Sequence, residues 1–160
     1  MSLLGNIIWL ITGGLVIGLG YLIFAIIFFP LLPFLWPLVK YSFAPFGKGV
    51  VRRSDLNKYK KREDYDSVGG IDNASTVVRF LANTLWVLTA GIIMAFAHLL
   101  AGLVQLAACI FIITIPLSLP NALANFRMIG PAFRPFGLVI VPKALAEEIK
   151  VGAAKKSLGI

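Results

Sequence analysis

Ionisable side chains are almost absent from two long apolar stretches of this 160-residue chain, so the few polar residues there are the candidates for chemistry. His98 is the one strongly titratable residue inside either stretch, and histidine titrates near physiological pH. An ionisable residue inside a membrane is a functional candidate. We expect His98 either to hold a structural hydrogen bond near the membrane surface or to act in pH sensing or along a transport pathway.

Further polar residues follow His98 along the second apolar stretch and just beyond it. Asn121 and Asn125 are four residues apart, and Ser118 precedes Asn121 by three, so the three side chains share one face of a helix. This polar stripe predicts either a seam between packed helices or the lining of a pore. The full candidate set is His98, Gln105, Thr114, Ser118, Asn121, Asn125 and Arg127.

The same residues argue against catalysis. The chain has one histidine and one cysteine, too few for a metal cluster, so we expect no metal site and no cofactor. A serine without a neighbouring base is not a nucleophile. No carboxylate lies in either apolar stretch, which leaves a proton- or sodium-coupled carrier little to work with. The sequence therefore predicts a protein that is not an enzyme.

The elements that carry these residues follow from the charge distribution. Residues 1–39 and 80–126 contain no Asp, Glu, Lys or Arg, and each stretch is about twice the ~20 residues that a membrane-spanning helix needs. The segments 40–79 and 127–160 each carry a net charge of +4. Basic segments stay in the cytoplasm. These patterns predict an all-α membrane protein with about four crossings and both termini cytoplasmic.

Each apolar stretch is expected to be a hairpin, with its turn at residues 18–21 in the first and 98–102 in the second. The competing arrangement is one long helix followed by a proline-broken re-entrant piece. Proline removes a backbone donor and disrupts the preceding turn. The residues that favour this alternative are Pro30, Pro33, Pro37, Pro116 and Pro120.

The chain also repeats itself. The pattern N-x-x-W-x-x-T-x-G recurs after 77 residues, and Pro-Phe-Gly recurs after 90, which predicts two tandem copies of one hairpin unit. Small residues four apart allow close helix packing, and Pro-Phe-Gly is typical of a turn at the membrane interface. The helix-packing candidates are Asn6, Trp9, Gly14, Gly18, Asn83, Trp86 and Gly91, with the tryptophans expected at the membrane–water boundary. The interfacial turns are Pro45, Phe46, Gly47, Pro135, Phe136 and Gly137.

A set of residues in the second half forms a recognisable pattern: Asn83, Trp86, Gly91, His98, Gly102, Thr114-Ile115-Pro116, Asn125-Phe126-Arg127 and Pro135-Phe136-Gly137. This pattern resembles that of the bacterial YccF inner-membrane family. The resemblance extends over about residues 4–51 and 80–141, although the first half lacks the Thr-Ile-Pro and Asn-Phe-Arg segments. The resemblance implies tandem inner-membrane component domains in the bacterial inner membrane, and it implies no reaction.

The predicted organisation is a first membrane repeat (1–51), a charged cytoplasmic loop (52–76), a second repeat (77–141) and a cytoplasmic amphipathic tail (142–160). The tail should form a surface helix from Lys143 to Lys156 that lies on the membrane. The leading functional hypothesis is a homo-oligomeric, channel-like assembly. The alternative is a non-transporting scaffold or regulator that binds a protein partner or anionic lipid headgroups through its basic loop and tail. No nucleic-acid partner is expected, because the charges of the loop alternate in sign.

Overall fold

A computed structural model describes residues 2–62 and 76–158 of the chain. The two halves contain the same elements in the same order. The first half comprises helix α1 (Ser2–Trp9), a π-helical turn (Leu10–Gly14), α2 (Leu15–Ile27), a 3-10 turn (Phe29–Leu31), α3 (Leu32–Phe43), strand β1 (Lys48–Arg52) and α4 (Arg53–Arg62). The second half comprises α5 (Thr76–Trp86), a π-helical turn (Val87–Gly91), α6 (Ile92–Ala108), a 3-10 turn (Ile112–Thr114), α7 (Ile115–Phe133), β2 (Leu138–Pro142) and α8 (Lys143–Leu158).

The hairpin turns lie later in the chain than predicted. Residues 18–21 lie inside α2 and residues 98–102 inside α6, and the chain reverses instead around Phe29–Leu31 and Ile112–Thr114. The prediction of the turns was wrong because it placed them at small residues, whereas prolines open the returning helices α3 and α7 within their first two positions. Proline is tolerated there because the first N–H groups of a helix have no intrahelical partner.

Among the described residues, two helices are long and apolar enough to cross a membrane. They run from Leu3 to Ile27 and from Val77 to Ala108, with 25 and 32 residues. Large apolar side chains point outward along both, with Ile11 80% and Leu88 73% exposed. A water-soluble helix would carry polar residues on that face. The protein is therefore a membrane protein, and these outward faces are the surfaces that lipid covers.

The returning helices differ in length between the halves. Helix α3 has 12 residues and α7 has 19, and α6 has 17 residues against 13 in α2. At 1.5 Å per residue α3 is about 18 Å long, well short of the ~30 Å hydrocarbon core. Each half therefore combines a long apolar helix with a shorter, proline-containing return, and α7, at about 28 Å, comes much nearer to that thickness than α3 does.

The chain is not all-α, because β1 and β2 form a two-stranded antiparallel sheet that the sequence analysis did not predict. Val50 lies opposite Ile140 at the centre of the ladder, and these two residues are related by the same 90-residue shift as the Pro-Phe-Gly motifs. The backbone hydrogen bonds on either side of the ladder are related by the same shift. The Arg53 N–H donates to the Gly137 carbonyl and the Lys143 N–H donates to the Gly47 carbonyl, both at 3.0 Å. The two halves thus meet across a local two-fold axis.

Helices α4 and α8 flank the sheet. The segment 52–76 was expected to be a loop, but its first part forms α4, and Glu63 and Asp64 lie outside the described residues. Helix α8 matches the predicted surface helix in extent. It buries Ala146 and Ile149 against Val51 of the sheet. Its apolar residues are thus covered in part by protein, while Val151 and Leu158 are 55% and 73% exposed. We call β1, β2, α4 and α8 the headpiece.

Candidate functional site

An asparagine clamp closes each hairpin at the headpiece end. The Asn6 side chain accepts a hydrogen bond from the Phe46 N–H at 2.9 Å and donates to the Phe46 carbonyl at 3.3 Å. Asn83 makes the same pair of bonds to Phe136, at 3.2 and 3.0 Å. The Phe backbone lies just past a helix end, where buried N–H and C=O groups need partners. The clamp explains why an asparagine at the start of each half accompanies Pro-Phe-Gly at its end.

A buried tryptophan supports each clamp. Trp9 and Trp86 are each 1% exposed, so their rings face the protein interior and contact neither lipid nor water. The Trp9 Nε1–H donates to the Ser42 carbonyl at 2.7 Å, and the Trp86 Nε1–H donates to the Ala132 carbonyl at 2.8 Å. Both carbonyls lie in the last turn of a helix, where no intrahelical donor remains. An indole N–H therefore completes the backbone hydrogen bonding of each return helix.

Glycines let these aromatic rings approach. Gly14 lies against the Trp9 indole, and Gly91 lies so close to Trp86 that a Cβ there would be 2.8 Å from the ring. Gly18 packs in the same way on Phe43, where a Cβ would come within 2.6 Å of the ring. The glycines named from the sequence as helix-packing residues therefore pack within one half of the chain. The Pro-Phe-Gly segments form turns in which Gly47 and Gly137 have φ of 86° and 99°, a conformation that favours glycine.

His98 lies at the centre of the molecule and not beside a turn. It is fully buried, and both ring nitrogens have partners: Nδ1 lies 2.9 Å from Asn125 Oδ1 and Nε2 lies 3.1 Å from the Tyr21 hydroxyl. The ring stacks on Trp9 with 6.5 Å between centroids. Burial of an imidazole is tolerated because its polar atoms are satisfied. The ring therefore lies away from the hairpin turn beside which the sequence analysis placed it.

The hydrogen bonds fix the direction of this network. Asn125 Nδ2 donates to the backbone carbonyl of Asn121 at 3.1 Å. The Asn125 Oδ1 therefore faces His98 and accepts from its Nδ1–H. In a neutral ring Nε2 is then the acceptor, and the Tyr21 hydroxyl donates to it. Asn121 Nδ2 continues the chain by donating to the Thr12 hydroxyl at 2.9 Å. Five side chains thus connect the two halves, and we call them the polar seam: Tyr21, His98, Asn125, Asn121 and Thr12.

The other four candidates of the polar stripe lie in four different places. Gln105 donates to the Thr12 carbonyl at 3.0 Å, beside the π-helical turn in which Gly13 has a φ of 125°. Ser118 is buried one turn before Asn121. Thr114 donates to the carbonyls of Ala108 and Phe111 and so closes the turn before α7. Arg127 is separate from the seam and faces the headpiece.

A basic cavity lies between the headpiece and the ends of α5 and α7. Its volume is about 1080 Å³. Its lining includes many more cationic than anionic side chains, and part of it is apolar sheet and α8. The charged lining residues are Lys48, Arg52, Arg53, Asp55, Arg79, Arg127, Arg134, Lys143, Glu147 and Lys150. Such a lining can attract and hold anions.

Sequence reasoning did not identify several of these residues. Tyr21 was not singled out, although it precedes His98 by the 77 residues of the repeat, which was the signal that could have paired them. Thr12 was seen only as part of the repeat pattern. The cavity could not be foreseen because it depends on the unpredicted sheet. Among the described residues, no group of three or more His, Cys, Asp or Glu side chains is arranged to hold a metal ion.

Comparison with known proteins bears on the second half of the chain. Residues 81–138 match the family model of the YccF inner membrane component domain. The resemblance to the YccF family is confirmed over this segment. The matched segment begins in α5 and ends at the first residue of β2, so it contains one asparagine clamp and the His98 side of the polar seam. No curated protein and no solved structure matched the chain.

Proposed function

We propose that the protein is a non-enzymatic, non-transporting component of the bacterial inner membrane that binds anionic lipid headgroups through its basic headpiece. The observation that carries the proposal is the cation-rich headpiece, which the two clamps hold at the ends of the apolar helices. Anionic lipids attract such a segment by about 1 kcal/mol for each Lys or Arg near the surface.

The geometry favours a headpiece of fixed shape over a flexible basic tail. The Tyr59 hydroxyl of α4 donates to Glu148 of α8 at 2.9 Å, and α8 packs its buried side chains on the sheet. A two-stranded sheet alone is marginal in water. Here both neighbouring helices cover it. Cations on α4 and α8 are therefore presented in a fixed arrangement, which supports recognition of a membrane surface.

The orientation is part of the proposal. The clamps bring the end of each return helix back to the level at which the preceding long helix began. Each half thus starts and finishes on one side of the membrane, whatever depth its return helix reaches. Basic segments are retained inside. We propose that the headpiece and both termini are cytoplasmic, and that the halves are parallel copies and not inverted ones.

The homo-oligomeric channel remains a separate proposal with weaker support. It requires Ser118, Asn121 and Asn125 to face a shared aqueous lumen, whereas all three are buried within one chain and the two asparagines are hydrogen-bonded there. These contacts favour the seam. Purified protein with a defined oligomeric state and ion flux in liposomes, reduced by Asn121→Leu, would support the channel against our proposal.

The lipid proposal is tested by measuring lipid association with the reconstituted full chain. Spin-labelled phosphatidylglycerol and phosphatidylcholine are compared in phosphatidylcholine vesicles. We expect the anionic lipid to be preferred, with a preference that weakens as salt is raised, because salt screens exposed charges. Equal association of the two lipids at low salt would overturn the proposal.

A matched pair of variants localises the effect to the headpiece. Replacing Lys58, Lys60 and Lys155 with Gln removes positive charge outside the basic cavity, and replacing the same residues with Arg keeps it. The Gln variant should lose part of the preference and the Arg variant should retain it. An unchanged preference in the Gln variant would show that these surface cations do not take part in lipid binding.

A further inference from the structure

The basic cavity combines features that the exposed cations of α4 do not share. Eight Lys or Arg residues and two carboxylates line it. One of the carboxylates, Glu147, is already paired with Lys143 at 3.6 Å. Within the described residues no carboxylate pairs with Arg79, Arg127 or Arg134. The cavity thus has a large excess of positive charge in a concave space.

The arginines of the second half are placed around this space by separate elements. Arg127 lies in the second half of α7, and Arg134 directly follows the last helical residue, with its guanidinium carbon 6.0 Å from the centre of the Phe133 ring. Arg79 comes from the first turns of α5. The arginine side chain presents a planar fork of N–H donors that fits two oxygens of a phosphate. Three such residues line the one cavity.

The cavity opens at the boundary between charged and apolar surface. Arg79 is followed by Phe80, which also lines the cavity, is 67% exposed and begins the 47-residue uncharged stretch. A phosphate bound to Arg79 would therefore have a lipid-covered surface directly beside it. A soluble phosphate has no apolar part that could contact that surface. A phospholipid can place its headgroup in the cavity and its acyl chains along the helices.

We propose that this cavity is a specific site for an anionic phospholipid whose headgroup carries more than one phosphate, with Arg79, Arg127 and Arg134 as phosphate ligands. The inference rests on the proposed binding of anionic lipid and adds a site and a lipid class to it. The volume of about 1080 Å³ and the excess of six positive charges are larger than one singly charged phosphate would need.

The test compares a lipid with two phosphates, diphosphatidylglycerol, with phosphatidylglycerol at equal total charge. The full-length protein is reconstituted in phosphatidylcholine nanodiscs, and displacement of spin-labelled diphosphatidylglycerol by each unlabelled lipid is measured. We expect diphosphatidylglycerol to compete better than phosphatidylglycerol. Replacing Arg79, Arg127 and Arg134 with Gln should reduce its advantage at least about tenfold, given the contribution of each cation near a membrane surface.

The control variant carries Gln at Lys58, Lys60 and Lys155, which removes the same charge outside the cavity. It should keep the advantage of diphosphatidylglycerol. If the arginine variant retains the advantage, or if both variants lose it equally, the cavity is not the site, while the general preference for anionic lipid can still stand. Displacement by inorganic phosphate as effective as that by the lipid would overturn the assignment to a lipid. The single variant Arg79→Gln, measured beside thermal unfolding, separates loss of binding from loss of fold.

Discussion

The two halves of the molecule make the same clamp contacts at their headpiece ends and make different contacts midway along their long helices. Asn6 and Trp9 bind the backbone of the first return helix and its turn just as Asn83 and Trp86 bind those of the second. The hydrogen bonds of each clamp lie within one half, although the ring of Trp9 also stacks on His98 and the ring of Trp86 packs on Phe24 and Phe28 of the other half. Because the clamp hydrogen bonds are local, the same pattern can serve in both halves although the second is 13 residues longer between its landmarks.

The residues midway along the long helices differ between the halves because they contact each other across the interface. Tyr21 and His98 occupy equivalent positions 77 residues apart, and they form a hydrogen bond across the interface of the halves. A donor is best matched by an acceptor, and a tyrosine hydroxyl opposite a neutral imidazole nitrogen provides that complement. Residues near a local two-fold axis are thus under a different constraint from residues in the clamps.

The surfaces of the halves also differ in charge. With the same shifts of 77 and 90 residues, the equivalents of Arg79, Arg127 and Arg134 are Ser2, Pro37 and Ala44. The first half instead has Lys40 where the second has Gly130. The headpiece cavity is therefore asymmetric although the backbone around the sheet is close to symmetric, which suits it to one lipid and not to two identical ones.

The strongest test of the shared clamp is to remove each indole. Trp9→Ala and Trp86→Ala should each destabilise the fold by about 3 kcal/mol, because each leaves a cavity and an unsatisfied carbonyl. The free energy of unfolding is measured by denaturant titration in detergent. Trp36→Ala is the matched control, since Trp36 is 43% exposed, and it should change the stability little. A large loss for one buried indole and none for the other would break the equivalence of the two halves.

The asparagine clamps should give the next largest effect. Asn6→Ala and Asn83→Ala each leave one backbone N–H and one C=O without their partner, and we expect a loss of about 2 kcal/mol in each case. Circular dichroism during the same titration measures it. Asn57→Ala, at an exposed position of α4, serves as the control for loss of an amide. Stability unchanged by both clamp variants would contradict the role assigned to them.

Loss of the hydrogen bond between Tyr21 and His98 should have the smallest effect on stability. Tyr21→Phe and His98→Phe, alone and together, form a double-mutant cycle whose coupling energy we expect to be about 0.6 kcal/mol, as for other hydrogen bonds between membrane helices. Thr89→Val serves as a comparison, because Thr89 hydrogen-bonds only to carbonyls of its own helix among the contacts described. Additive effects of the Tyr21 and His98 variants would show that their hydrogen bond does not couple the halves.

Sequence reasoning reached some of these features and missed others for physical reasons. The Pro-Phe-Gly turns and the extent of α8 could be predicted, because proline, glycine and helix starts act locally. The hairpin turns could not be located, because the glycines that suggested them lie inside regular helices. Gly18 and Gly102 are each covered by a phenylalanine side chain, so they mark close packing and not a turn. The sheet was missed because five-residue strands in β1 and β2 are stable only when paired across the halves.

Charge and hydropathy along the chain were enough to determine that this is a membrane protein with basic segments beside its apolar stretches, because lipid excludes charge regardless of how helices pack. The tertiary structure alone decided which residues of the two halves meet. Whether His98 faces water or Tyr21, and whether Asn121 lines a pore or contacts Thr12, depends on packing between segments that are about a hundred residues apart. The pairing of β1 with β2 adds the sheet to the lining of the cavity that the three arginines of the second half border.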